Sequence, residues 1–422
     1  MESGTLASDA WAVLRIPFVR TFALGRIASV LGIQIISTAV GWELYERTHN
    51  AWSLALVGVF ELLPVLVLVL PAGSVIDLFP RRHIAVLAHL VFTLAGCGLV
   101  AVSALHGPIA LIYALLTVVG AARAFGSPAV ATLLPQLLPS HQYAQANAWL
   151  SSSFELASIV GPALAGFLIA MRGDATLAYV AGALGEATFV ALLFTLPLKP
   201  PPPEKKSKRT VADMFAGFAF IRRNPVFLAA ITLDLFAVLL GGATALLPMF
   251  AKDVLHVGPT GLGWLRAAPA AGAMLMALLT TRLPAWKKPG RTLLWVVAGF
   301  GLATIGFGLS TSFPLSLACL FFTGVFDNIS VVIRLTLEQV LTPDALRGRV
   351  SSVHFVFIGF SNELGGFESG ATAALFGPVA SVVGGGIGTI AIVALVALGW
   401  PVLARLHPLH TLTALSEPND SL

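Results

Sequence analysis

The chain has 422 residues, of which 57% are hydrophobic and only 11% are charged. Soluble domains carry about 25% charged residues, so this composition, with a mean hydropathy of +0.89, excludes an ordinary soluble domain and indicates an integral membrane protein. The formal net charge of +5 does not indicate a nucleic-acid partner, because the basic residues lie mostly in loops between apolar stretches.

Twelve stretches of the chain are long and apolar enough to cross a membrane. A span needs about 20 apolar residues, and lipid forces the backbone to hydrogen-bond internally, so each stretch is predicted to be a helix. The predicted spans are residues 17–45, 53–76, 83–105, 108–134, 143–170, 175–196, 226–251, 260–282, 291–311, 313–340, 350–376 and 379–404. The sequence therefore predicts an all-α membrane protein with twelve transmembrane helices.

The basic residues orient these spans. Of the 25 Lys and Arg residues, 18 lie on the side of the N-terminus and three on the opposite side. Loops rich in Lys and Arg stay in the cytoplasm, so both termini are predicted to be cytoplasmic. The N-terminus lacks the pattern of a cleaved signal peptide, and none is expected.

The segment KPPPPEKKSKRT, at residues 199–210, divides the spans six to six. Consecutive prolines favour an extended chain, and basic residues favour the inner membrane surface. We therefore predict an N-terminal six-helix half, a cytoplasmic linker, a C-terminal six-helix half and a cytoplasmic tail, at residues 1–197, 198–225, 226–405 and 406–422.

The two halves resemble each other. The stretch from Gln136 aligns with the one from Gln339, and the stretch from Gly120 aligns with the one from Gly324, both at an offset of about 204 residues. An offset of six spans predicts a parallel repeat, which is an arrangement of secondary transporters.

Four stretches carry a family pattern. The loop between the second and third spans is GSVIDLFPRRHIAV, at residues 73–86. The others are ARAFGSPAVATLLPQLLPSHQYAQANA at 122–148, ASIVGPALAGF at 157–167 and LTPDALRGRVSS at 341–352. With them the chain resembles the major facilitator superfamily, in its branch of bacterial drug and siderophore exporters. The resemblance implies two pseudo-symmetric six-helix halves.

In that family the loop between the second and third spans is a conformational latch. The matching residues are Gly73, Asp77, Arg81 and Arg82. The resemblance implies that the acid and the arginines pair with cytoplasmic helix ends, where an acid near a helix N-terminus is favourable. Leu78 replaces the first arginine of the pattern, so we expect a weaker latch. Alternatively, the arginines only set topology.

A row of small residues in the fifth span resembles the motif of antiporters in this family. Its positions are occupied by Ala157, Gly161, Pro162, Ala165 and Gly166. Small residues let helices approach closely, and proline bends a helix. The resemblance implies export by antiport; the alternative is ordinary helix packing.

Ionisable residues inside spans are costly and usually functional. By the resemblance, the first, fourth, seventh and tenth spans line a central cavity, which singles out Arg26, Arg123, Asp234 and Asp327. We expect the arginines to bind a zwitterionic or anionic group and one aspartate to accept a proton as the substrate leaves. The alternative is a static arginine–aspartate pair. Glu61 is a further candidate for the cavity or gate.

Three other intramembrane charges, at Arg334, Glu338 and Arg266, need partners within the membrane. Arg334 and Glu338 are four residues apart in the tenth span, so an ion pair along one helix face is expected. Arg266 in the eighth span needs an acidic or carbonyl partner, which the sequence does not name.

The resemblance implies a secondary active transporter, not an enzyme, that exports a bulky amphipathic drug or siderophore in exchange for protons. The alternative function is a lipid facilitator that flips lysophospholipids. We expect a monomer in a bacterial inner membrane. Its expected partners are a small-molecule substrate, the proton and the lipid bilayer, with no metal, cofactor or nucleic acid.

Overall fold

The computed structural model describes residues 13–134, 138, 142–196, 218–284, 286–406 and 408. Within these ranges the chain forms twelve long helices and no β-strand. The helices are α1 (Pro17–Thr48), α2 (Ala51–Leu78), α3 (Arg81–Ala104), α4 (Ile109–Ala131), α5 (Tyr143–Arg172), α6 (Thr176–Thr195), α7 (Pro225–Leu240), α8 (Gly258–Thr280), α9 (Pro289–Leu309), α10 (Phe313–Leu341), α11 (Asp344–Phe376) and α12 (Pro378–Gly399).

The helix ends follow from local residue chemistry. α1 begins at Pro17, whose missing N–H would be unpaired in a first turn anyway. Asn50 caps α2, because its side-chain oxygen accepts a hydrogen bond from the Trp52 N–H at 3.0 Å. α5 ends at Arg172 and is followed by Gly173, whose φ of +84° is one that glycine adopts readily. Nine of the twelve predicted spans match their helices to within three residues at both ends.

The seventh span differs from its prediction as one continuous helix over 226–251. α7 ends at Leu240 and is followed by a 3₁₀ turn at Ala243–Leu246 and wide π turns at Phe250–Val254. The interruption lies at Gly241 and Gly242, and a Cβ on Gly242 would lie 2.7 Å from the Gly365 carbonyl oxygen. Close approach to α11 therefore requires glycine here, and glycine weakens a helix interior.

The chain forms two compact units. The first unit comprises Met1–Glu204 with Leu247–Ala270, and the second comprises Lys205–Leu246 with Ala271–Leu422. Leu247–Ala270, which lies in the predicted C-terminal half, thus groups with the first unit. The division into halves stays a prediction, since most of the predicted linker and tail lies outside the described residues.

In the first unit, α1 packs against α5 and α6, α3 packs against α4 and α6, and α2 packs against α4. α1 and α6 meet at glycines: a Cβ on Gly32 would lie 2.6 Å from the Gly182 carbonyl oxygen. Small residues allow this backbone contact between membrane helices.

The second unit repeats most of these pairs. α7 packs against α11 and α12, and α9 packs against α10 and α12. Glycines again mark the crossings, because a Cβ on Gly386 of α12 would lie 2.8 Å from the Gly301 carbonyl oxygen of α9. Each of these pairs corresponds to a pair in the first unit whose helix numbers are lower by six, as a parallel repeat of six helices requires.

Among the described residues, eleven helical segments are long and apolar enough to cross a membrane, counting Pro225–Val254 as one. The remaining long helix is α11, which carries Arg347 and Arg349 near its start and Glu363 and Glu368 in its second half.

Candidate functional site

The first unit contains a cavity of about 390 Å³ lined by α1, α3, α4 and α5. This volume is in the range of small-molecule sites, about 300–1,000 Å³. Its basic lining residues are Arg26, His89 and Arg123, and no Asp or Glu of the described chain lines it. Two predicted site residues, Arg26 and Arg123, therefore share one cavity.

Arg26 is held without a direct carboxylate partner. Its guanidinium carbon lies 5.9 Å from the ring centroid of Phe189, a cation–π geometry, and it interacts electrostatically with Glu186. Both oxygens of Glu186 are occupied: Ser29 donates a hydrogen bond at 2.9 Å, and Nδ1 of His89 lies at 2.6 Å. Arg26 itself forms no hydrogen bond or ion pair with a described residue, so its donors remain available to a ligand.

Arg123 is paired with a predicted site residue. Its Nη2 lies 2.9 Å from Oε2 of Glu61, and the side chains are 37% and 14% exposed. One turn earlier, Gly120 of α4 touches the Glu61 backbone of α2, leaving no room for a Cβ. Arg123 is thus the more exposed partner and Glu61 the less exposed one, and Glu61 joins the site through this pair.

In the second unit, Asp234 of α7 forms an ion pair with Arg334 of α10. Both residues are buried, with exposures of 8% and 4%. Arg334 also donates from Nε to the Ser330 hydroxyl at 3.2 Å. Asp234 therefore lies in a closed polar cluster rather than on an open surface.

Asp327 differs from Asp234, because it is exposed. It interacts electrostatically with Arg334 and Asp234, but it forms no hydrogen bond or ion pair with a described residue. It precedes Arg334 on α10 by seven residues, which is two helical turns, so both lie on the same helix face.

The expected ion pair between Arg334 and Glu338 is wrong. Arg334 pairs with Asp234 on α7, while Glu338 accepts from the Ser351 hydroxyl and lies 2.5 Å from Nδ1 of His354 on α11. The prediction considered only spacing along one helix, whereas neighbouring helices supplied better-placed partners.

The latch residues lie at the junction of α2 and α3. α2 continues to Leu78, so Asp77 lies in its last turn instead of in a loop, and its side chain is outside the described residues. Arg81 is the first residue of α3, and Gly73 has open space where a Cβ would be. The role of these residues as a latch stays a prediction.

Arg82, the fourth latch residue, contacts a helix end within the first unit. It donates to the carbonyl oxygens of Leu196 at 3.2 Å and Phe194 at 2.5 Å, at the C-terminus of α6. A cation is favourable at that end of a helix.

The small-residue row of α5 is buried at Ala157, Gly161, Pro162, Ala165 and Gly166. The row makes close contacts on two sides. A Cβ on Gly161 would lie 2.6 Å from Cβ of Gln34 on α1, and one on Gly166 would lie 3.1 Å from Cα of Gly263 on α8. Packing alone thus requires glycine at these two positions, and antiport stays a prediction.

Residues 247–270 are tied to α1 by polar contacts that the sequence did not reveal. Arg266, whose partner could not be named, donates to the Ser37 hydroxyl at 2.6 Å. Near the end of α1, Tyr45 donates to Asp253, and Lys252 lies 2.7 Å from Glu46. Pairs so distant in sequence leave no spacing pattern to recognise.

Sequence reasoning also missed His89 and His354, and it assigned no role to Glu186. Each histidine is buried beside a glutamate of another helix. A histidine within an apolar span is the only available signal, and it does not name a partner.

The profile of the Major Facilitator Superfamily matches residues 22–366. Among characterised relatives, the enterobactin exporter EntS of Escherichia coli O1:K1 / APEC is 27% identical over 379 residues, covering 89% of this chain and 90% of the exporter. The enterobactin exporter EntS of Shigella boydii serotype 18 matches with the same identity and coverage. These matches point to a transporter.

Solved structures of similar fold cover nearly the whole chain. A peptide transporter of the POT family has a TM-score of 0.72 at 12% identity, covering 92% of this chain and 95% of its own. A bacterial homologue of the human lysosomal transporter Spinster, in an inward-facing and unoccupied conformation, has a TM-score of 0.69 at 16% identity, covering 93% and 97%. The likeness confirms the predicted all-α fold of twelve transmembrane helices. The chain is therefore a multi-pass membrane protein that belongs to the Major Facilitator Superfamily.

Proposed function

We propose that this protein exports a bulky amphipathic small molecule, a drug or a siderophore, across a bacterial inner membrane in exchange for protons, by alternating access. The observation that carries the proposal is the match to enterobactin exporters along 89% of the chain. The small-residue row of α5, which resembles the antiporter motif, supports the exchange of cargo for protons.

Asp327 is the acid best suited to carry the proton. Asp327 is an exposed residue and has no hydrogen-bond or ion-pair partner among the described residues, whereas Asp234 forms an ion pair with Arg334. In the proposed cycle, the Asp327 carboxylate takes up a proton from the outer side after the cargo has left. It releases that proton to the cytoplasm before the next cargo binds, so one proton moves inward for each molecule exported.

The test uses the full chain in inside-out proteoliposomes with an acidic lumen. We expect accumulation of enterobactin, used as the first probe, that stops when an ionophore collapses the pH gradient. Accumulation that continues at the same rate would contradict proton coupling. Gradient-independent flipping of a fluorescent lysophospholipid, without enterobactin transport, would instead favour a lipid facilitator.

Asp327→Asn isolates the proton-carrying step. The amide cannot take up a proton, so this variant should lose gradient-driven accumulation while still exchanging labelled for unlabelled cargo. Asp174→Asn, at an exposed loop, is the matched control and should behave as the wild type. Full gradient-driven accumulation by the Asp327 variant would exclude this residue as the carrier.

We further propose that the protein acts as a monomer with both termini in the cytoplasm, as the basic residues favour. A green fluorescent protein fused to the C-terminus should fluoresce in cells, and alkaline phosphatase fused there should be inactive. The reverse result would overturn the orientation.

A further inference from the structure

We propose that the cargo is an organic anion carrying an aromatic ring, and that Arg26 binds its charged group in the cavity of the first unit. This inference rests on the proposed export function and names the chemical class of its cargo. It follows from the charges, the aromatic walls and the size of that cavity.

Arg26 is built as a receptor for an anion. Its guanidinium lies over the Phe189 ring, and it forms no hydrogen bond or ion pair with any described residue. Glu186 lowers the cost of holding the charge in this place, but Ser29 and His89 already occupy both of its oxygens. A planar guanidinium with free donors fits a carboxylate or phenolate oxygen pair.

The rest of the cavity has the same sign of charge. Arg123 lies in the lining, while its partner Glu61 is less exposed and outside the lining. An anion in the cavity would therefore contact the guanidinium groups that line it, while the nearby carboxylates lie outside the lining. A neutral or cationic cargo would displace water from Arg26 without replacing the lost hydrogen bonds, which is costly.

Three phenylalanines form part of the remaining wall, beside six aliphatic residues. Phe22, Phe92 and Phe154 line the cavity, and the His89 ring meets Phe92 edge to face with centroids 5.1 Å apart. Such surfaces favour offset or edge-to-face contact with a ring of the ligand. The cavity of about 390 Å³ holds an aromatic group with its acid, so the anionic end and the ring are bound together.

The first test uses three probes of one shape and different charge: naphthylacetate, naphthylethanol and naphthylethylamine. Binding to the purified full chain is measured by calorimetry at neutral pH. We expect the anion to bind at least about tenfold more tightly than the alcohol, a ratio equal to about 1.4 kcal/mol, and the amine to bind most weakly. Equal binding of the anion and the alcohol would overturn the inference.

The second test uses Arg26→Gln and Arg26→Lys, with Arg172→Gln as a control at an exposed position. The glutamine variant should lose the preference for the anion, the lysine variant should keep part of it, and the control should keep all of it. An unchanged preference in Arg26→Gln would overturn the assignment of Arg26. Should that variant fail to fold, the probe series on the wild type still decides the charge of the cargo.

The two proposals fail in different ways. If no anion binds but a neutral compound is exported, the cargo class is wrong and the export function stands. If naphthylacetate binds through Arg26 but no compound is transported with a gradient, the anion site stands and the export function is wrong.

Discussion

The two units differ in which of their intramembrane charged residues, the basic or the acidic ones, are the more exposed. In the first unit Arg26 and Arg123 line a cavity, while Glu61 is more buried than the arginine it pairs with. In the second unit Asp327 is the exposed acidic residue, and Arg334 is buried against Asp234. In the first unit an arginine is therefore more exposed than the acid it pairs with, whereas in the second unit an aspartate is more exposed than the arginine.

The difference is sharpest at equivalent positions of the repeat, because Arg123 and Asp327 are 204 residues apart. The helix pairs are repeated, but the sign of the exposed charge is not. A repeat conserves the backbone contacts that small residues allow, while the side chains on the open face are free to diverge. The proposed division of roles, with an anion bound in the first unit and a proton carried by the second, depends on this difference between the two units.

The largest expected effect comes from breaking the buried pair of the second unit. Arg334→Gln leaves the Asp234 carboxylate buried without its cation, which costs about 3–5 kcal/mol. We expect a large fall in the thermal unfolding midpoint of the purified protein and loss of transport.

A double variant separates the missing charge from the missing side chain. Asp234→Asn combined with Arg334→Gln removes both charges, so it should recover most of the lost stability. A double variant as unstable as the single one would show that packing, rather than the ion pair, accounts for the loss.

The sequence predicted the membrane class, the twelve spans and the basic loops, because apolar length and charge bias are properties of a segment and need no partner. Arg26 and Arg123, which the resemblance assigned to one cavity, both line the cavity of the first unit, but the functional roles predicted for these residues and for Asp234 and Asp327 stay predictions. It failed where the partner comes from another helix, as with Glu338 and His354, and it missed the break after Leu240. That break depends on how closely α11 approaches Gly242, which no local pattern encodes.

An intermediate effect is expected from Glu186→Gln in the first unit. The amide keeps the shape but loses the charged acceptor that Ser29 and His89 contact, and a hydrogen bond to a charged group contributes about 1.5–3 kcal/mol. Stability should fall by less than in Arg334→Gln. Naphthylacetate should bind severalfold more tightly, because a negative charge near Arg26 has been removed. Weaker binding of naphthylacetate by this variant would contradict the inference that the charge of Glu186 opposes anion binding at Arg26.

The smallest effect is expected at an exposed pair outside the spans. Asp174 accepts hydrogen bonds from the Thr176 N–H at 2.8 Å and from Nε of Arg172 at 2.9 Å. Partial burial acts to raise its pKa, but the hydrogen bonds from Thr176 and Arg172 outweigh this and hold the pKa of Asp174 below its usual range. Because the pKa of Asp174 is lower in the folded protein than in the unfolded chain, its ionised form stabilises the folded state. This stabilisation is fully present at a pH above the pKa of the unfolded chain, and it is lost as the pH falls through the pKa of the folded protein.

Asp174→Asn keeps the oxygen that Thr176 contacts, but it removes the charge and replaces the oxygen that accepts from Nε of Arg172 with an NH2 group. The variant should be less stable than the wild type by at most about 1 kcal/mol at neutral pH, as for exposed ion pairs. The difference between the two proteins should shrink as the pH falls below about 3.9, the usual pKa of an aspartate in an unfolded chain, and should vanish only when the pH lies below the lowered pKa of folded Asp174. Thermal unfolding across this range is the measurement. If Asp174→Asn lost as much stability at neutral pH as Arg334→Gln, burial of a charge pair would not determine how much that pair contributes to the stability of this protein.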